Sequence, residues 1–142
     1  MAEGMGNVAA KSEMSDLMLS SSMDWTVKLW YPKNADKHEP INTFESSQEY
    51  IYDVQWSPVH PTVFAQVDGD GYLDVWDMNK DWDTPIAHKA AFESKGAGGR
   101  DLDEAKELST LRWSRDGRRI AVGDSEGFVS IWQADKELYL PK

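Results

Sequence analysis

The stretch Gln66-Val-Asp-Gly-Asp-Gly-Tyr-Leu-Asp-Val-Trp-Asp77 crowds carboxylates around two glycines. Hard oxygen donors around a turn glycine are what a calcium loop uses. Asp68, Asp70, Gly71, Leu73 and Asp77 fall at EF-hand positions 3, 5, 6, 8 and 12. Two features count against a cation. The first ligand position is Gln66, and the last is Asp77 where such a loop carries a bidentate Glu. The loop also needs a helix on each side, yet Thr62 to Val67 and Tyr72 to Trp76 alternate in the manner of strands. The remaining chemistry is sparse. His38, His60 and His88 are scattered over loop or outer-strand sequence and form no metal-ligand pair at helical spacing. They read as solvated or hydrogen-bonded loop residues. Lys95-Gly-Ala-Gly-Gly-Arg100 lacks the Lys-Ser/Thr that a phosphate cradle requires. No nucleophile elbow marks a serine hydrolase. No catalytic, cofactor-binding or metal residue is assigned, no cofactor is expected, and the expectation is a protein that is not an enzyme.

Two features suit recognition better than catalysis. Arg112, Arg115, Arg118 and Arg119 surround Asp116-Gly117, and strand alternation places several of them near the surface. In so acidic a chain they form a local positive patch able to steer an acidic partner, with Arg115 and Arg118 as the residues to test. The plainer reading is a solvated hairpin face with surface ion pairs of little energetic value. Trp82, in the polar loop Met78 to Thr84, is the candidate for an exposed aromatic partner contact.

The elements that carry these residues repeat. Asp24-Trp-Thr-Val-Lys-Leu-Trp30, Asp70-Gly-Tyr-Leu-Asp-Val-Trp76 and Glu126-Gly-Phe-Val-Ser-Ile-Trp132 are versions of one segment. Each opens on an acid, alternates an apolar pair with variable residues and ends in tryptophan, which is a strand rhythm of period two. A second element, Ile51-Tyr-Asp-Val-Gln-Trp-Ser57, returns as Leu108-Ser-Thr-Leu-Arg-Trp-Ser114. A third appears as Asp16 to Ser21, Thr62 to Val67 and Arg119 to Val122. Asp116-Gly117 is a two-residue hairpin signal between the first two strands of the last unit. Weaker outer strands are expected over Pro40 to Glu45, Pro85 to Phe92 and Leu138 to Leu140. The tryptophans Trp30, Trp56, Trp76, Trp113 and Trp132 recur at strand positions and read as packing. Four strands in a unit of about 45 residues is the arithmetic of a β-propeller blade.

The spacing from Trp76 to Trp132 exceeds that from Trp30 to Trp76 by ten residues, which assigns Glu93 to Lys106 to a surface loop with a helical turn over Leu102 to Leu108. The expected organisation is a flexible segment over 1–15, then a partial propeller over 16–142. The propeller divides into an incomplete blade over 16–45, a blade over 46–92, a loop insertion over 93–106 and a blade over 107–142. About two and a half four-stranded antiparallel blades cannot close a ring. The isolated chain is therefore expected to expose apolar faces and to be marginal or aggregation-prone.

Composition narrows the setting. Apolar residues make up 40% of the chain and aromatics 11%, which supports a packed core. The net charge of −10 argues against gripping nucleic acid or an anionic membrane, where Lys and Arg must neutralise phosphate. No apolar run reaches the roughly 20 residues of a membrane span. There are no cysteines, so disulfides and thiolate metal sites are excluded. Met1 to Ser15 lacks the apolar stretch of a signal peptide, and Ala2 rules out N-myristoylation. The expected location is the cytoplasm.

Over about Ser15 to Leu140 these residues resemble WD repeats. The resemblance implies that Asp24, Asp70 and Glu126 hold the acidic turn position. In that family it hydrogen-bonds a His near the blade start, a Ser/Thr and the tryptophan. Asp24, Trp30, Trp56, Asp70, Trp76, Trp113, Glu126 and Trp132 are then the structural repeat positions. The chain departs from the pattern where the family carries Gly-His: Ser46-Ser47 and Asp103-Glu104 stand there, and the Trp-Asp pair survives only at Trp76-Asp77. A narrower resemblance is to cytoplasmic dynein intermediate chains. It rests on Ser21-Ser-Met-Asp-Trp-Thr-Val-Lys-Leu-Trp30, Tyr50-Ile-Tyr-Asp-Val-Gln-Trp-Ser-Pro58, Val67-Asp-Gly-Asp-Gly71 and Ile120-Ala-Val-Gly-Asp-Ser-Glu-Gly127. It implies a non-catalytic scaffold whose propeller binds the dynein heavy chain, cytoplasmic and cytoskeleton-associated, with other dynein subunits as partners and its remaining blades in sequence missing here. The alternative is a WD-repeat interaction adaptor unrelated to dynein.

Overall fold

The computed structural model describes residues 16–33, 39–91 and 106–139. Among these residues ten strands form three antiparallel meanders. The first sheet is β1 (Met18–Ser21), β2 (Val27–Trp30) and β3 (Asn42–Phe44). The second is β4 (Ile51–Trp56), β5 (Val63–Asp68), β6 (Tyr72–Asp77) and β7 (Ala87–Ala90). The third is β8 (Leu108–Trp113), β9 (Arg119–Asp124) and β10 (Val129–Gln133), followed by a single helical turn, α1 (Lys136–Tyr139). The first and third sheets each have three strands among the described residues, and the middle one has four.

The period-two pattern assigns faces. In β5, Val63, Ala65 and Val67 pack toward the third sheet, joined by Leu73 and Val75 of β6 and met by Leu108, Leu111, Ile120 and Val122. Phe64 and Trp76 turn the other way, into a second cluster with Val27, Leu29, Phe44, Ile51 and Met78. The middle sheet is thus covered on both faces, and every residue of β5 is buried. In the second cluster Phe44 meets Phe64 and Trp76 edge to face, at centroid distances of 5.0 and 4.8 Å. That is the geometry the ring quadrupole prefers.

Polar groups tie the sheets together. The Asp53 carboxylate accepts the Leu111 N–H across the joint at 3.0 Å, and Trp113 Nε1 donates to the Gln55 carbonyl at 3.1 Å. Ile51 N–H donates to the Ser22 carbonyl at 3.2 Å across the other joint. The first strands β4 and β8 both shift register at the same repeat position, past Tyr52 and Ser109. An extra residue there bends the strand and re-aims the side chains that follow, Asp53 among them.

Three expectations are corrected. The outer strand expected over Leu138 to Leu140 is absent over its described part; α1 stands there instead. Leu138 N–H closes onto the Asp135 carbonyl, Leu138 packs on the core, and Lys80–Glu137 (2.7 Å) and Arg118 over the Tyr139 ring (5.2 Å) pin the turn. The Asp116-Gly117 hairpin is longer than two residues. It runs over 114–118, with Gly117 N–H bonded to the Ser114 carbonyl and Gly117 at φ 70°. The helical turn expected over Leu102 to Leu108 falls mostly outside the described residues, and Leu108 itself begins β8. The 1–15 segment and most of the 93–106 loop also lie outside them.

Candidate functional site

The turn between the second and third strands of each blade is built the same way three times. Its left-handed position falls five residues before the repeat tryptophan: Trp25 (φ 73°), Gly71 (φ 88°) and Gly127 (φ 90°). Glycine takes this conformation without a Cβ penalty, and tryptophan does not. Trp25 therefore carries backbone strain, and 47% of it is exposed.

The acidic positions read from the repeat turn out to do less than expected. Asp70 and Glu126 are exposed. The carboxylates that close the turns stand two residues earlier. Asp68 Oδ1 accepts the N–H groups of Asp70 and Tyr72, each at 3.0 Å, and Oδ2 accepts the Ser47 hydroxyl at 2.8 Å. Asp124 Oδ1 likewise accepts the N–H groups of Glu126 and Phe128, each at 2.9 Å. In the first blade Ser22 fills this position, and its Oγ accepts the Asp24 N–H at 3.2 Å. The physical reason is placement. Asp68 and Asp124 end a strand and sit over the turn's free N–H groups, whereas Asp70 and Glu126 sit at the tip facing water. Burial pushes the Asp68 carboxyl up, opposed by the hydrogen bonds it accepts. Desolvation, Asp68 and Glu49 raise Asp70. Asp24 goes the other way: its bond to Lys28 Nζ (2.6 Å), helped by Thr26, lowers it to about 2. Glu126 pairs with Lys106 at 2.9 Å.

The tryptophans fall into two groups. Trp76 is fully buried, and its Nε1 donates to Gln66 Oε1 at 3.1 Å. Trp30 makes the same rung to Ser20 Oγ at 2.9 Å. Position 122 is Val, with no acceptor, so Trp132 turns its Nε1 to Ser130 Oγ at 3.1 Å and packs on the core. Trp56 and Trp113 are half-buried against the two clusters. Trp82 does not stand in solvent as its polar loop suggested. It is half-buried and stacks on Phe44 at 6.0 Å and 18°. Arg115 and Arg118 are exposed; Arg118 lies over Tyr139 and 4.0 Å from Asp116.

Sequence reasoning missed a buried polar network around Gln66. Asp74, fully buried, accepts the Ser46 hydroxyl at 2.7 Å and Gln66 Nε2 at 3.4 Å, and contacts His88 Nδ1 at 2.5 Å. His88 stacks on Tyr72 with centroids 4.2 Å apart. The family's single hydrogen-bonded tetrad is here divided in two: Ser47 with Asp68, and Gln66 with Trp76. The only local signal was Ser46-Ser47 standing at the Gly-His position. The calcium-like stretch is the β5–β6 hairpin, and its Gln66 and Asp68 are engaged in these bonds.

Comparison with known proteins agrees with this geometry. The WD40 family (WD domain, G-beta repeat) matches residues 8–31, 38–77 and 102–133. The three-sheet arrangement is similar to the WD40 domain of Toxoplasma gondii coronin. The TM-score is 0.64 and the identity 17%, over 83% of this chain and 28% of that one, a likeness of fold alone. The chain belongs to the WD40-repeat family and forms part of a β-propeller. Within that family it is similar to the cytoplasmic dynein 1 intermediate chain of Drosophila melanogaster, 36% identical over 129 residues. The match takes in 91% of this chain and spans 17% of that protein's length. No helix among the described residues is long and apolar enough to cross a membrane.

Proposed function

We propose that the chain is a non-catalytic scaffold segment of a cytoplasmic dynein-type motor, whose propeller surface holds the dynein heavy chain in microtubule-based transport. The observation that carries this reading is the 36% identity over 129 residues to a dynein intermediate chain. The dynein-like stretches Ser21 to Trp30, Tyr50 to Pro58 and Ile120 to Gly127 fall on strands and turns that build the blades. Among the described residues, buried side chains are taken up by packing, by turn closure and by the network around Gln66. What remains for recognition is surface, as a scaffold requires. The reading places the chain in the cytoplasm, associated with the cytoskeleton, with dynein subunits as partners and without a cofactor. Arg115 and Arg118 form the proposed contact for an acidic partner, with the part of Trp82 left uncovered by its packing on Phe44 as a secondary one.

The test is native affinity capture of the tagged chain, with mass spectrometry of what it retains. Recovery of dynein heavy chain supports the reading. Recovery of other proteins without any dynein subunit would replace it with a WD-repeat adaptor of another assembly. Arg115→Glu/Arg118→Glu should reduce heavy-chain recovery several-fold while leaving the circular dichroism unchanged; unchanged recovery removes the arginines from the contact.

A further inference from the structure

One end of the sheets carries exposed aromatic side chains that the packing of the blades does not use. Tyr50 and Tyr52, at the start of β4, are 39% and 37% exposed, and their rings meet edge to face at 6.3 Å. Tyr52 is the extra residue of the β4 register shift, an irregularity that re-aims a side chain. The bond from Ile51 N–H to the Ser22 carbonyl brings the β1–β2 turn alongside, where Met23 is 66% and Trp25 47% exposed. Trp25 holds the left-handed position that glycine fills in the other two turns. A half-exposed tryptophan kept at a strained backbone position points to use rather than to packing. This exposure does not come from the ends of the chain. Tyr50 and Tyr52 belong to the middle sheet, which is covered on both faces. At the turn position equivalent to Trp25, a Cβ built on Gly127 meets nothing within 4 Å.

The charge around these rings is one-sided. Glu49 and Tyr52 lie over Gly69, where an added Cβ would fall 2.6 Å from Glu49 Cγ and 3.4 Å from Tyr52 Cε2. Exposed Asp70 follows at the tip of the same turn, and exposed Glu107 stands just before β8. Desolvation, then Glu107 and Glu49, raise the Tyr52 phenol, which places all these groups within reach of one another. Among the described residues Glu49, Asp70 and Glu107 form no ion pair, whereas Asp24 and Glu126 are taken up by Lys28 and Lys106. Uncompensated carboxylates beside exposed aromatic rings are suited to an organic cation, which each attracts by a different part of its surface.

We propose that this patch binds an arginine-bearing segment of a partner protein. The planar guanidinium stacks on aromatic rings and forks onto carboxylates, so arginine uses both features of the patch where the point charge of lysine uses them less well. Tyr50 and Tyr52 take the guanidinium, and Glu49, Asp70 and Glu107 supply its acceptors. Trp25 and Met23 take an apolar residue flanking the arginine. The unpaired acids attract a basic segment and repel an acidic one, which sets the sign of the partner. The proposal is independent of the heavy-chain reading, because Arg115 and Arg118 stand at the opposite end of the sheets, in the turn after β8.

The test is selection of a random dodecapeptide phage library on the full chain, followed by fluorescence polarisation with the leading peptide. The selected peptides should contain arginine beside an apolar residue, and citrulline in place of that arginine should abolish binding. Trp25→Gly should weaken the peptide roughly tenfold or more while leaving the melting temperature unchanged or raised, because glycine relieves the left-handed turn. Asp70→Asn/Glu107→Gln, at two exposed side chains, should weaken it and flatten its salt dependence. Ile131→Glu, on the open face of the third sheet, should bind like wild type. Selection of acidic or uncharged peptides, or of none, overturns the proposal. So does an arginine peptide indifferent to both patch variants, or one released by Ile131→Glu, which then sits on the third sheet. If Trp25→Gly lowers the melting temperature, Trp25 is packing and the charge variant alone decides: unchanged affinity in it overturns the proposal.

Discussion

Two glycines in left-handed turns differ in what an added Cβ would meet, and that difference separates backbone strain from packing. Gly127 has φ 90°, and a Cβ built there meets nothing within 4 Å. Gly117 has φ 70°, and its Cβ would fall 2.3 Å from Val59 Cγ2. Gly127→Ala therefore pays the left-handed backbone term alone, about 1 kcal/mol once the restricted unfolded chain is credited. Gly117→Ala pays that and an overpacking term of about 1–3 kcal/mol, because Val59 is held in the turn between β4 and β5. Removing the obstacle should return only the second term. In Val59→Ala the two Cγ atoms at 2.3 and 3.6 Å are gone, and the nearest remaining atom of that side chain is Cβ at 3.5 Å, an ordinary contact. The double variant Gly117→Ala/Val59→Ala should thus be more stable than the sum of the single effects by about 1 kcal/mol or more, a coupling well above that of independent sites. The assay is urea denaturation followed by far-ultraviolet circular dichroism, with equal m-values required across the set. Strict additivity of the two substitutions, or a Gly127→Ala cost equal to that of Gly117→Ala, would refute the reasoning.

Further outcomes follow from the same geometry. Trp76→Phe leaves buried Gln66 Oε1 without its donor and should cost about 1–3 kcal/mol, whereas Trp30→Phe, whose Ser20 partner is half-exposed, should cost less than about 1 kcal/mol; thermal melts compare them. Asp53→Ala orphans the Leu111 N–H at the joint and should lower stability by about 1–3 kcal/mol in the same melts; a neutral result would mean water replaces it. For Asp24, the folded carboxyl is lowered from 3.8 to about 2, so its stabilising contribution is present above pH 3.8 and is lost as pH falls through about 2. The stability advantage of wild type over Asp24→Asn should shrink across that window. Asp68 is shifted upward by burial, so its sign is opposite: wild type should gain relative to Asp68→Asn as pH falls through the raised value. Denaturation midpoints at several acid pH values check both slopes.

Much of the fold was legible because it is local. The alternation of Val27 and Leu29, of Leu73 and Val75, and of Val129 and Ile131 names strands and one face of each. The glycines at 71 and 127 mark turns because positive φ penalises any side chain there. The outer strand after Trp132 was misread because a short apolar stretch such as Leu138-Tyr-Leu carries no period of its own. Closing hydrogen bonds and contacts to Lys80 and Arg118 decide its shape.

The candidate site was less legible. The repeat places an acid before each tryptophan, but a turn interrupts the alternation that would say which carboxylate points inward. Asp68 over its free N–H groups and Asp70 in water are two residues apart, and only the turn geometry separates them. The network of Ser46, Gln66, Asp74 and His88 is spread across four segments with no shared spacing. Trp82 is drawn out of solvent by Phe44, a residue of another sheet.

The sequence by itself determined the repeat, its strands and the apolar pair each blade offers, because side-chain direction in a strand follows from parity alone. Tertiary structure alone decided which pairs are covered. Val27 and Val129 stand at the same repeat position and differ only in whether a neighbouring sheet lies above them, and burial is a property of that neighbour and not of the residue.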